Sequence, residues 1–244
     1  MGGAATSVTN AYNNSLTKSN PTVLSEGRYY LAGASTGNYS LFAGGTYPSG
    51  SGYSYSSIVD TYNTSLTKAN ATALNTTSGH NTGTSIGSNA IFCCGRYFYK
   101  YDSSLTKNYT TVSIGRSFNG AASTGNYAIF GGGYNSSTLD NLNAVIAVDS
   151  SLTTREITPL TFPTKYMSGA SLNGFALLGG GVTDAPVTYR DYVYSYDKDL
   201  TMKVEHEMAT PRYEPITATV GNKALFAGGY NNGKYTNAVD VYQI

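Results

Sequence analysis

Five short stretches set a basic or titratable group beside an aromatic ring: RYY (28–30), SGH (78–80), RSF (116–118), TKY (164–166) and RYE (212–214). Arg28, Arg116, Lys165 and Arg212 supply positive charge. Tyr30, Phe118 and Tyr166 supply flat apolar faces, and His80 and Glu214 add titratable groups. Guanidinium forks bind carboxylates and phosphates, and cations and rings attract one another across aromatic faces. If these stretches converge on one mouth, they predict a small anionic, nucleotide-like ligand or an aromatic-rich protein surface. The arginines have a second use, because buried backbone carbonyls need donors and a guanidinium can serve several at once.

Other chemistry is excluded or set aside by spacing. GGYNNGKY (228–235) has the glycines and lysine of a phosphate loop, but Tyr235 replaces the final Ser/Thr and no helical pattern follows. His80 and His206 are the only histidines and fall on different parts of their units, so no metal site and no cofactor are expected. Cys93 and Cys94 are neighbours, which suits neither a disulfide framework nor zinc, and they are expected to be small buried residues. Glu205 and Glu207 flank His206, and Glu214 follows; paired carboxylates of this kind can do acid–base work. The first two lie on an expected outer strand, away from the hub. N-x-S/T triplets such as NTS (63–65) fall in turns and are read as turn chemistry.

The elements that place these residues come from a repeat. VDTYNTSLTK (59–68) returns in the phrases around Leu16, Leu105, Leu152 and Leu200. Between its copies lie NYSLFAGG (38–45), NAIFCCG (89–95), NYAIFGGG (126–133), GFALLGGG (174–181) and NKALFAGG (222–229). Each unit reads as four short strands. Strand a is RYYLAGAS (28–35) or RSFNGAAS (116–123), and strand b follows a TGN turn. Strand c is the alternating SIVDTY or NAVDVY. Strand d is placed at ATAL (71–74) or PTVL (21–24). No stretch shows a 3.6-residue apolar period, so almost no helix is expected. With 244 residues, 28 glycines, 23 tyrosines and no tryptophan, the chain is rich in strand and turn formers. A period of 40 to 50 residues with four strands per unit predicts an all-β fold, a five-bladed β-propeller of antiparallel blades forming one domain over 1–244.

The repeat resembles the kelch family and is similar to bacterial kelch-like repeats. The resemblance rests on the pairs Gly44-Gly45, Gly132-Gly133, Gly180-Gly181 and Gly228-Gly229, and on the tyrosines before turns, Tyr12, Tyr62, Tyr101, Tyr196 and Tyr242. It covers essentially the whole chain and implies a propeller. It departs in one mark: the tryptophan that follows the tyrosine in kelch units is missing, and the leucine of SLT is expected to fill its place. Some kelch-like propellers are copper oxidases and others act on sugars; two histidines do not supply the copper set.

The first residues repeat the pattern of the last, GGAATSVTNAY (2–12) against GGYNNGKYTNAVDVY (228–242). The N-terminal strand at 21–24 is therefore expected to complete the last blade and close the ring, removing an open edge. The C-terminal copy of strand c should sit in the sheet, with residues 1–12 outside it or extending it. The b–c loops and the d–a crossings share one face of such a disc, and that face carries the variable segments. Tyr47, Tyr53, Tyr55, Tyr134, Tyr189 and Tyr230 lie on it, and function usually sits on loops held by a regular frame. The leading expectation is a non-catalytic binding propeller that recognises a protein or glycan through this face. The alternative is capture of a small anionic ligand at the arginine-lined mouth, and a more distant one is a sugar-modifying enzyme. Charged residues make up 12% and the formal net charge is +1, so no field draws a nucleic-acid polymer or a membrane surface. No segment approaches the ~20 apolar residues of a membrane span, and MGGAATSVTNAY has neither a basic nor an apolar leader region. The sequence does not decide between the inside and the outside of a cell; the absence of a leader pattern tilts the expectation toward the cytoplasm.

Overall fold

The computed structural model describes residues 5–243 and holds five antiparallel blades. Blade 1 is Ala32–Ser35, Tyr39–Ala43, Val59–Asn63 and Lys68–Asn70. Blade 3 is Gly120–Ser123, Ala128–Gly131, Val145–Val148 and Thr154–Ile157, and blade 4 is Ser168–Leu172, Phe175–Gly179, Val193–Tyr196 and Met202–Val204. In each, neighbouring strands in sequence are neighbours in the sheet. Blade 2 merges strands b and c into Asn89–Tyr101, between Thr82–Ile86 and Lys107–Arg116. Blade 5 has three strands, Ile216–Val220, Lys223–Ala227 and Val239–Gln243. No helix occurs among the described residues.

The recurring phrase is a turn with a fixed hydrogen-bond pattern. Oδ1 of Asn13, Asn63, Asp102, Asp149 and Asp197 accepts from the backbone N–H groups two and four residues on. The N–H of each SLT-type leucine donates to the carbonyl of the same Asn or Asp. Each leucine is thereby held at positive φ, between 58° and 65°. Asn and Asp recur because a short side chain can cap its own turn. Leu152 and Leu200 are buried, while Leu16 is 80% exposed, so the leucine does the packing work expected of it only in some units.

Blades pack through apolar faces. Leu41, Ala43 and Val59 of blade 1 meet Ala90, Phe92 and Tyr99 of blade 2; Phe98 of blade 2 meets Phe130 of blade 3; Leu178 of blade 4 meets Ile129 and Val145 of blade 3. In four of the five blades a strand-c tyrosine latches the blade to the link before it; blade 3 has Val148 there. Tyr62, Tyr101, Tyr196 and Tyr242 donate their hydroxyls to the carbonyls of Thr22, Thr72, Thr158 and His206, at 2.6 to 3.0 Å. The Gly-Gly pairs make room for the next blade. The N–H groups of Gly45, Gly133 and Gly181 donate to Ser78, Thr164 and Arg212 carbonyls, and a Cβ on Gly132 would lie 2.3 Å from the Thr164 oxygen.

Two expectations are corrected. Strand d lies at Lys68–Asn70, not at 71–74, and residues 21–24 form no strand. Leu24, Leu74, Leu160 and Met208 instead end a crossing segment as buried plugs, each donating its N–H to a carbonyl just before or at the start of strand c (Ser7, Ser57, Asn143, Asp191). An alternating apolar pattern there reflects the plug and not a pleat. The N-terminal strand also does not complete blade 5. Ala11–Tyr12 pairs with Lys18–Ser19 as a separate hairpin, and Val239–Gln243 pairs only with Lys223–Ala227. The N-terminal segment brings its own copy of strand c, a few residues away, and a local hairpin closes at less entropic cost than a distant pairing. It packs against blade 1 as each preceding c–d unit does, with Leu24 bonded to Ser7 and Tyr62 to Thr22. The C-terminal strand c is in the sheet, as expected. The face of blade 5 turned away from blade 4 leaves Ile216, Val220, Val239 and Val241 more than half exposed.

Candidate functional site

The start of each strand a is a five-fold structural position. Tyr30, His80, Phe118, Tyr166 and Glu214 occupy it, all with φ between 52° and 59°. That backbone costs a non-glycine residue about 1–2 kcal/mol. The return is a carbonyl ladder around the axis. Phe118 N–H donates to His80 C=O (3.3 Å), Tyr166 N–H to Phe118 C=O (2.7 Å) and Glu214 N–H to Tyr166 C=O (3.0 Å). The geometry turns the side chains into a collar. Tyr30 and His80 rings lie 4.2 Å apart, His80 and Phe118 3.9 Å, and Phe118 and Tyr166 4.4 Å.

The collar lines a pocket of about 440 Å³, together with Asn81, Thr82, Asn119, Ser168, Pro215 and Ile216. Burial lowers the His80 imidazole to about 4, so it is neutral at physiological pH. Desolvation pushes the Glu214 carboxyl up, and likewise raises Tyr166 to about 12. Three buried atoms of pocket-lining residues have no hydrogen-bond partner, His80 Nδ1, Asn81 Oδ1 and Asn119 Oδ1, and each is sealed from solvent. The amide nitrogens of Asn81 and Asn119 are already used, on Ser78 and on Thr82 and Gly120.

The arginines do not line this mouth, and no lysine or arginine does among the described residues. Arg28, Arg116 and Arg212 are 0–3% exposed. Arg28 donates to the carbonyls of Gly44 and Ile58 and pairs with Asp60. Arg212 donates to Thr210 and Phe226 carbonyls and pairs with Asp240 at 2.5 Å. Arg116 donates to Phe130, Gly132 and Ala144 carbonyls. Buried carbonyls at the blade ends claimed these side chains, which corrects the expectation of an arginine-lined opening. Lys165 stays near the surface, paired with Asp184 at 2.7 Å and 4.9 Å from the centre of the Tyr134 ring.

Above the collar stand four hairpins from the b–c loops: Thr46–Ser49 with Gly52–Tyr55, Tyr134–Asn135 with Asp140–Asn141, Val182–Asp184 with Val187–Tyr189, and Tyr230–Asn231 with Lys234–Tyr235. Bridges Tyr29↔Thr46, Ser117↔Tyr134, Lys165↔Val182 and Tyr213↔Tyr230 tie each hairpin to the residue before a collar position. Variable loops and collar thus share one face. GGYNNGKY forms the last hairpin, a strand–turn–strand with no helix for a phosphate. Tyr189, Tyr213, Tyr230 and Tyr235 form a connected tyrosine wall, with centroids 5.1 to 5.9 Å apart along it. Tyr53 meets Tyr29, and Tyr53 and Tyr55 are 69% and 52% exposed. Tyr47 and Tyr134 are half-buried in their hairpins.

Sequence reasoning missed Asn81 and Asn119, though each directly follows its collar residue in GHN and SFN. It also missed Tyr29, Tyr213 and Tyr235. His206, Glu205 and Glu207 line a different pocket between blades 4 and 5, where Glu205 is tied to Ser195 and Lys203. Cys93 and Cys94 are free and fully buried, and burial raises the Cys93 thiol to about 12 and pushes the Cys94 thiol well above its ordinary value.

No family model matches the chain, and no curated protein does. Among solved structures it is similar to that of YjhT, with a TM-score of 0.76 and 12% identity, over 99% of this chain and 95% of that one. The likeness is one of fold: the chain is a β-propeller.

Proposed function

We propose that the chain is a kelch-like recognition module that binds a neutral saccharide at the collar, without catalysing a reaction on it. The observation that carries this is the lining of the mouth pocket: the aromatic faces of Tyr30, Phe118 and Tyr166 beside the polar side chains of Thr82, Ser168 and Glu214. A sugar ring presents C–H groups to an aromatic face and hydroxyl donors at its edge. A neutral His80, and arginines already committed to carbonyls, remove the attraction an anion would need. The tyrosine wall beside the mouth extends the same chemistry to further sugar units.

The test is a panel of neutral, sialylated and sulfated oligosaccharides titrated calorimetrically into the purified chain. Neutral members should bind, with acidic ones weaker. Phe118→Ala and Tyr166→Ala should each weaken binding about tenfold, the equivalent of one lost aromatic contact of roughly 1.4 kcal/mol. A preference for the acidic panel, or full affinity in both variants, refutes the assignment. Protein capture that depends on Tyr53 and Tyr55 with no saccharide binding would replace it with a protein partner.

A further inference from the structure

We propose a second, separate ligand site at the seam of blades 2 and 3, where Arg116 binds the carboxylate of a small zwitterion of the amino-acid type. The equivalent guanidiniums each have a carboxylate from strand c, Asp60 for Arg28 and Asp240 for Arg212. At the matching place in blade 3 the chain has Ile146. Arg116 is 3% exposed and no ion pair reaches it among the described residues; its Nε is unpartnered, as are those of Arg28 and Arg212, so the missing carboxylate is what sets it apart. An isolated buried charge is costly, and it calls for a counter-ion.

The seam also has room for one. A cavity of about 300 Å³ opens beside Arg116, lined by Thr111, Ser113, Ile146, Thr154 and Glu156 among others. Its origin is a shortened link. Ten positions separate Lys18 from Arg28, Lys68 from Ser78, Thr154 from Thr164 and Met202 from Arg212, but nine separate Lys107 from Arg116. The shorter link runs as continuous strand, Lys107–Arg116, straight into the arginine. The buried leucine or methionine plug of the other links is thereby lost, and so is the residue after it. That residue serves the acid in blades 1 and 5, where Ser25 and Ala209 donate their N–H groups to Asp60 and Asp240. Plug and acid are missing together, and the cavity stands in their place.

Glu156 decides the ligand class. It lies opposite Ile146 across the strand pair and lines the cavity, exposed, and the buried Arg116 lines the same cavity. A plain anion entering would meet the Glu156 charge. A zwitterion sets its carboxylate on Arg116 and its ammonium toward Glu156, and Thr111, Ser113 and Thr154 hydroxyls are within the same lining.

The test uses the full chain with glycine, alanine and serine against acetate and propionate, followed by saturation-transfer NMR and thermal shift. The amino acids should bind saturably and at least tenfold better than the matching carboxylates. Ile146→Asp supplies the acid from within the chain, as in blades 1 and 5, and should abolish binding. Thr111→Phe, at the exposed rim, should block entry in a second background. Glu156→Gln should erase the preference for zwitterions. The proposal is overturned if no probe binds the unmodified chain, if carboxylates bind as well as amino acids, or if folded Ile146→Asp or Thr111→Phe binds unchanged.

Discussion

Removing the Asp60 carboxylate should be among the most damaging single changes in blade 1. Asp60 is 1% exposed and accepts from Ser25 N–H (3.1 Å), Ser25 Oγ (2.6 Å) and Lys68 Nζ (2.6 Å), with Arg28 on its other oxygen. Asp60→Ala leaves a fully buried guanidinium with only the Gly44 and Ile58 carbonyls, at 2.8 and 2.9 Å. Breaking a buried pair from one side costs about 3–5 kcal/mol. For a domain of this size each kcal/mol moves the Tm by about 2–4 °C, so a fall of about 6–20 °C is expected. Replacing both partners, as Arg28→Met with Asp60→Leu, should restore much of it, because an apolar pair leaves no orphaned charge. Asp240→Ala should cost less, since that carboxylate is 15% exposed. Differential scanning calorimetry and urea unfolding measure all three variants. A loss below 1 kcal/mol in Asp60→Ala, or a double variant no better than the single, would refute the role given to these arginines.

Acid should weaken the fold in two steps. Burial works to raise the Asp60 carboxyl, but hydrogen bonds from Lys68 and Ser25 and the Arg28 charge outweigh it and hold it below the usual range. Its contribution is complete above the unfolded value near 4 and is lost as pH falls through the lower folded value, so Asp60→Asn should flatten that part of a Tm–pH curve. Folded His80 protonates only near 4 and the unfolded chain near 6.5, so stability should rise with pH across that interval and level off above it; His80→Phe should remove the slope. Gly132→Ala combines a φ of +67° with a Cβ 2.3 Å from a backbone oxygen and should cost about 2–4 kcal/mol, whereas Gly37→Ala has a φ of +78° but open space and should cost about 1–2 kcal/mol in the same urea titrations. Both cysteines should resist a thiol reagent in the native protein and react together on unfolding.

The fold was legible in the sequence because the repeat advertises its own hydrogen bonds. Asn63 and Asp102 cap their turns through side chains that no other residue type could replace easily, and Gly132-Gly133 stand where a neighbouring backbone passes. Strand d was misplaced because Leu74 is apolar for a different reason, as a plug over the blade seam. Ring closure was misjudged because sequence shows that two copies of strand c exist but not which neighbour each one meets. The arginines were ambiguous, since the same fork serves a ligand or a carbonyl. Arg28 and Arg212 did carry a clue, an aspartate about 30 residues on, as Asp60 and Asp240.

Where the repeat is kept, its polar groups are consumed by the frame; where it departs, something is left over. Arg28 and Arg212 are matched by acids and have nothing to offer a ligand. Arg116 sits in a unit whose link is one residue short and whose acid is an isoleucine, and it lies beside a cavity without an ion pair. The collar obeys the same logic in its side chains. Its backbone is repeated five times at nearly one φ, so the scaffold needs only the carbonyl ladder there. The side chains at those positions are then free to differ, as tyrosine, histidine, phenylalanine, tyrosine and glutamate do. A strained backbone position that the frame fixes without using the side chain is where this fold can change its ligand at least cost to its stability.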